Sequence, residues 1–141
     1  METLHMDYTV KPDDFALAGE VSGNVKRTLK HLGFPPDVVR RTAIAMYEAE
    51  INMVIHAQGG TVSVSIAPDE VCAIFADVGP GIPDIDLAMQ EGWSTASSDV
   101  RDLGFGAGMG LPNIKKSTDY LDVQTKVGVG TTITMKIMVK Q

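Results

Sequence analysis

The sequence predicts a single α+β domain over residues 1–141, a mostly antiparallel sheet with three main helices on one face. Two observations predict it. In the first half, apolar residues recur at three- and four-residue intervals in two long segments; elsewhere they alternate with polar ones in short segments bounded by turn residues. The length decides the domain count: 141 residues allow one real core and leave little for a second.

Met6 to Val10 alternate weakly, as an edge strand would. From Asp13 onward Phe15, Ala18, Val21, Val25, Leu29 and Leu32 form one stripe, with Lys26, Arg27 and Lys30 outside it, and Gly33 stops the helix. "FPPD" opens a second helix, because proline is tolerated in a first turn. This helix carries Val38, Val39, Ala43, Met46, Tyr47, Ile51, Val54 and Ile55 to about Ala57, where "QGG" ends it. "TVSVSIA" alternates strictly, "PDE" turns the chain, and "VCAIFAD" is a more continuously apolar strand, so the two strands make a hairpin. A short helical piece around Ile85 to Glu91, the polar stretch "GWSTASSDVRD" and "LGFGAGMGL" follow. A third helix runs through "PNIKKSTDYL", and strands near Asp122 to Lys126 and Thr132 to Val139, joined by "VGVG", close the chain.

The net charge is −6, from 12 basic and 18 acidic side chains, with no basic stripe interleaved with aromatics. That argues against nucleic acid as a partner. An anionic ligand would have to be held by local backbone dipoles and a metal ion rather than by the overall field. No apolar run approaches the roughly 20 residues of a membrane span. "METLHMDYTVKPDD" carries no basic segment followed by an apolar one, so no secretory signal is read and a cytoplasmic location is expected. Cys72 is the single cysteine; it can form no internal disulfide, and within "VCAIF" it reads as a small buried hydrophobe.

Three stretches carry chemistry. In "YEAEINMVIHA", Glu48 and Asn52 are four residues apart and share one helix face beside the apolar stripe. They are either a solvated i,i+4 pair or a general base one turn from a metal-coordinating amide oxygen. In "DVGPGIPD", Asp77 ends a buried strand, Gly79 and Gly81 allow positive φ, and Pro80 and Pro83 stiffen the turn. The acid either opens a tight turn or awaits a dedicated donor, such as the exocyclic amine of a flat adenine ring. In "GFGAGMGLPNIKK", Gly104, Gly106, Gly108 and Gly110 alternate just before a helix. They form either a flexible loop or a row of N–H groups for phosphate. The Walker lysine pattern is absent, and no strand leads directly into a dinucleotide fingerprint.

In this order and spacing the motifs resemble the GHKL (Bergerat-fold) ATP-binding family, over nearly the whole chain. "DVGPGIPDIDLAMQEGWST…GAGMGLPNIKK" is most similar to the serine/threonine kinases of sigma-factor partner-switching systems, of RsbT-, RsbW- and SpoIIAB-like type. The resemblance implies a two-layer α/β sandwich that binds ATP and Mg²⁺. It gives Asn52 the metal and Glu48 the role of base toward the attacking hydroxyl or water. Asp77 would bind the adenine amine against a wall of Gly79 and Gly81, and Thr131 would help hold adenine through water. Gly104, Gly106, Gly108 and Gly110 would cradle phosphates as part of a lid, with Arg101 a candidate for the γ-phosphate. His56 follows Asn52 by four, as in several relatives, and packing is its simplest role.

Two departures stand out. The stretch between "WST" and "GFGAG" is longer than in the nearest switch kinases, and Trp93 stands where a smaller aromatic is expected, as core packing or a partner contact. The chain also lacks a histidine-bearing dimerisation helix, since His5, His31 and His56 sit elsewhere, and it lacks a gyrase-type transducer domain. The expected acceptor is therefore a hydroxyl on another protein, of the STAS-type anti-sigma-antagonist class. The alternative is an ATP-gated binder of a sigma factor or activator of a PP2C-type phosphatase; either could be a homodimer.

Overall fold

Strand β1 (Leu4–Val10) comes first, followed by helices α1 (Glu20–His31) and α2 (Pro36–His56). Next are β2 (Gly60–Ala67) and β3 (Glu70–Asp77), then α3 (Gly110–Ser117), β4 (Tyr120–Lys126) and β5 (Gly130–Met138). This computed structural model describes residues 2–11, 18–79, 81–82, 89 and 110–140. Phe15, the helical piece at 85–91 apart from residue 89, the polar stretch with Trp93 and Arg101, Gly104, Gly106, Gly108 and the side chain of His56 lie outside the described residues. Among the described residues no helix is long and apolar enough to cross a membrane.

The five strands lie in the order β1-β2-β3-β5-β4, every neighbouring pair antiparallel. Period two does the positioning. Val62, Val64 and Ile66, Val71, Ala73 and Phe75, and Ile133, Met135 and Ile137 are all buried in the core shared with the helices. Burying one such side chain fully is worth about 1.5–3 kcal/mol, and a one-residue slip would send a whole strand's set to water. From the helices, Val21, Val25 and Leu29, Met46, Met53 and Val54, and Leu111 and Ile114 close over that face. The layers and the antiparallel sheet are as the sequence predicts.

Four local expectations are corrected. The first helix does not extend back through Ala18, because Gly19 takes φ 93° and α1 starts at Glu20. Leu32 and Tyr47 leave their stripes and are about 40% exposed, Leu32 at the α1 C-cap and Tyr47 with its ring against Gly19. The third helix stops at Ser117 rather than passing through Leu121. Thr118 donates its hydroxyl to the Ile114 carbonyl, and Asp119 Oδ2 accepts from Met138 N at 2.7 Å and Arg41 Nη1 at 3.1 Å. Those bonds turn the chain, so Tyr120 and Leu121 already pair with Lys136 and Met135 in β4. Finally, Cys72 is on the outer face, half-buried between Ser65 and Lys136 of the flanking strands, and burial raises its thiol pKa.

Candidate active site

Asp77 and Thr131 meet at one end of the sheet, and the turn that follows α2 is bonded beside them. Asp77 is the last residue of β3, and just beyond it Val78 exchanges backbone hydrogen bonds with the turn that follows α2 (Gln58 N to Val78 O, 2.6 Å; Val78 N to Gly59 O, 3.0 Å). The C-terminal end of α2 is thereby tied beside Asp77, and Asn52 lies four residues before that end.

On α2, Glu48 and Asn52 are both half-buried. Burial raises the Glu48 carboxyl pKa, and a hydrogen bond from Asn113 Nδ2 to Oε1, 3.2 Å, opposes that in part. One turn on, a Cβ at Gly110 would lie 3.2 Å from both Asn52 Oδ1 and Nδ2, so the start of α3 rests directly on this amide. Asn52 has no hydrogen-bond partner among the described residues, which leaves its oxygen for a ligand. Glu48 and Asn52 form no hydrogen bond with each other.

Asp77 is oriented by the neighbouring strand. Its Oδ1 accepts the Thr131 N–H at 2.9 Å, while Oδ2 has no partner among the described residues. Burial raises this carboxyl's pKa and the Thr131 N–H lowers it again in part. The approach is close because residue 130 is glycine: a Cβ there would run into the Asp77 carbonyl oxygen. Gly81 has φ 78°, as a positive-φ turn requires, and a Cβ there would meet the Lys126 carbonyl at 2.8 Å. Gly79 is held differently, its N–H donating to the Val129 carbonyl at 3.0 Å.

Thr125 completes this wall, and the sequence offered no sign of it. Its hydroxyl accepts the Ile82 N–H at 2.8 Å and lies 3.0 Å from the Thr131 hydroxyl, so β4 fixes both the turn after Asp77 and the buried Thr131. Asn113 is the second residue missed. Chemically, the described part of the site offers an oriented carboxylate with one free oxygen, a free amide oxygen, and one turn away a half-buried carboxylate suited to accept a proton. Of the glycine alternation only Gly110 is among the described residues.

A family model described as histidine kinase-, DNA gyrase B-, and HSP90-like ATPase matches residues 38–141. The chain is 32% identical over 124 residues to serine/threonine-protein kinase RsbT of Bacillus subtilis (strain 168), covering 85% of each. It is 31% identical over 96 residues to an anti-sigma F factor of Caldanaerobacter subterraneus subsp. tengcongensis, covering 64% of each. Among solved structures, the RsbU and RsbW domains of Rv1364c from Mycobacterium tuberculosis superpose with a TM-score of 0.63 at 16% identity. All of this chain is matched there, spanning 34% of that longer protein. The mycobacterial sensor histidine kinase MprB superposes with a TM-score of 0.53 at 18% identity, covering 96% of this chain and 97% of that one. At such identities the two structures speak for the fold alone.

Proposed function

This chain belongs to the histidine kinase-, DNA gyrase B-, and HSP90-like ATPase family, and from that premise we propose an ATP-dependent protein serine/threonine kinase of a partner-switching system. Its substrate in this reading is a STAS-type anti-sigma-antagonist protein, and its location is the cytoplasm. The reading rests on Glu48, a half-buried carboxylate with a raised pKa, one turn from the free amide of Asn52. A nucleotide sensor would need the amide and Asp77 but has no use for a base there.

Phosphoryl transfer asks for an in-line acceptor, charge neutralisation on the phosphates and a group that orients the nucleophile and receives its proton. Asp77 Oδ2 accepts the adenine amine, while the Gly81 turn and Thr131 flank the ring. Magnesium fits Asn52: one neutral oxygen from the protein, with phosphates and water for the rest, suits an ion that keeps much of its hydration. Among the described residues no cluster of three or more His, Cys, Asp or Glu offers a competing protein cage. When bound, the ion supplies charge neutralisation. Glu48 takes the proton of the acceptor hydroxyl as its oxygen bonds to the γ-phosphorus and the bond from that phosphorus to the β,γ-bridging oxygen breaks, leaving ADP.

Incubation with radiolabelled ATP and the STAS-domain proteins of the same genome tests this directly; label on a serine or threonine of one of them supports it. The relative named an anti-sigma F factor favours a second reading, in which ATP gates capture of a sigma factor. No label on any STAS protein, with ATP-dependent capture of a sigma factor or a PP2C-type phosphatase, would establish that reading instead.

Two affinity changes follow. Asp77→Asn places an amide where a charge-assisted acceptor is needed, roughly 1.5–3 kcal/mol, so calorimetry should show ATP bound about tenfold to a hundredfold more weakly. Unchanged affinity would remove Asp77 from the adenine site. Asn52→Ala should weaken ATP binding strongly with Mg²⁺ present and little in EDTA, because the lost ligand acts through the ion. Equal losses in both buffers would make the amide merely structural.

A further inference from the structure

The geometry points to Asn113 as a positioning residue that holds Glu48 in place from the first turn of α3; this rests on the kinase reading above. Glu48 Oε1 accepts from Asn113 Nδ2 at 3.2 Å, across 65 positions of sequence. The two helices meet in register: Gly110 lies on Asn52 and Asn113 on Glu48, so residues three apart on α3 face residues four apart on α2 in reverse order. α3 is thus docked on both members of the pair at once.

The chemistry of the contact suits positioning. A carboxylate half-buried on a helix can turn about its side-chain torsions, and each such turn moves its oxygens away from the acceptor. A neutral amide donor fixes the plane through one oxygen and leaves Oε2, which has no partner among the described residues, for the proton. Lysine or arginine in the same place would also hold the carboxylate, but an ion pair would weaken it as a base. Asparagine orients Glu48 without neutralising it.

The test is a double-mutant cycle on the intact protein, with transfer to the unphosphorylated partner protein and ATP affinity measured separately. Asn113→Ala should lower kcat by about 10–100-fold, the usual loss for a misplaced catalytic group, and leave the Kd for ATP unchanged. In a Glu48→Gln background the same substitution should cost nothing further. Asn113→Asp, equal in size but lacking the donor, should lose at least as much as alanine. It carries the test alone should the alanine variant fold poorly. Wild-type kcat in Asn113→Asp, or a full additional loss in the Glu48→Gln background, overturns the role and leaves the kinase reading standing. A wild-type protein that transfers to no partner overturns both.

Discussion

Replacing Glu48 with glutamine is expected to slow phosphoryl transfer by about 10²–10⁴-fold, the usual contribution of a positioned general base, with ATP affinity close to unchanged. Glutamine keeps the size and can still accept from Asn113, so the contact between α2 and α3 survives while basicity is lost. A loose transition state demands less of the base and pushes the loss toward the lower end. Wild-type transfer in this variant would mean that Glu48 is not the base. The same substitution should make the protein more stable at pH 7. Burial holds the Glu48 carboxyl above its ordinary range, so the folded chain binds that proton more tightly than the unfolded one. Wild-type stability therefore falls as pH rises from the ordinary carboxylate range through the raised folded value. Glutamine has no such loss, and its melting temperature should equal the wild type's in acid and exceed it above that window.

Glu50→Ala should damage the fold severely, for reasons unconnected with chemistry. Glu50 is 2% exposed and accepts from three backbone donors at the start of α1: Gly19 N and Val21 N on Oε2, at 3.0 and 3.1 Å, and Ser22 N on Oε1 at 3.0 Å. Gly19 has no side chain with which to cap its own helix, so a carboxylate from α2 does it instead. Alanine leaves those donors without partners in a closed space, at about 1–3 kcal/mol each. A total of about 3 kcal/mol or more is expected, readable as a lower urea midpoint and a fall in melting temperature of roughly 10 °C. Glu50→Gln keeps one acceptor oxygen and should fall between. A loss under about 1 kcal/mol for alanine would show that water replaces the cap.

Glu48 and Glu50 are separated by Ala49 alone in "YEAEIN", and only the first is legible. About 100° per helical residue puts them on opposite sides of α2. Sequence could therefore assign Glu48 to the face of Asn52, but the partners of Glu50 lie about thirty positions earlier in the chain. The same limit hid Asn113 and Thr125, whose bonds cross 65 and 43 positions. Strands β2 and β5 were readable because one covered face imposes strict alternation. In β3 the run "VCAIFAD" concealed the open side, where Cys72 and Ile74 point away from the helices. The end of the third helix is not legible because Tyr120 and Leu121 suit either structure, and Asp119, bonded to Arg41 and Met138, chooses the strand. Asp77 is legible from its own motif and Thr131 only through the family resemblance; that one grips the other by a single N–H is visible only in the fold.

That grip makes an atom's absence heritable. Gly130 has no side chain to offer a ligand, yet a Cβ there would collide with the Asp77 carbonyl oxygen and push β5 away from β3. Thr131 N–H would retreat, and the aspartate, still present in the sequence, would lose its aim. Among variants of this chain, keeping Asp77 is therefore no guarantee that the contact proposed for it is kept. The aim of the acid depends as much on a residue that carries only a hydrogen as on the acid itself.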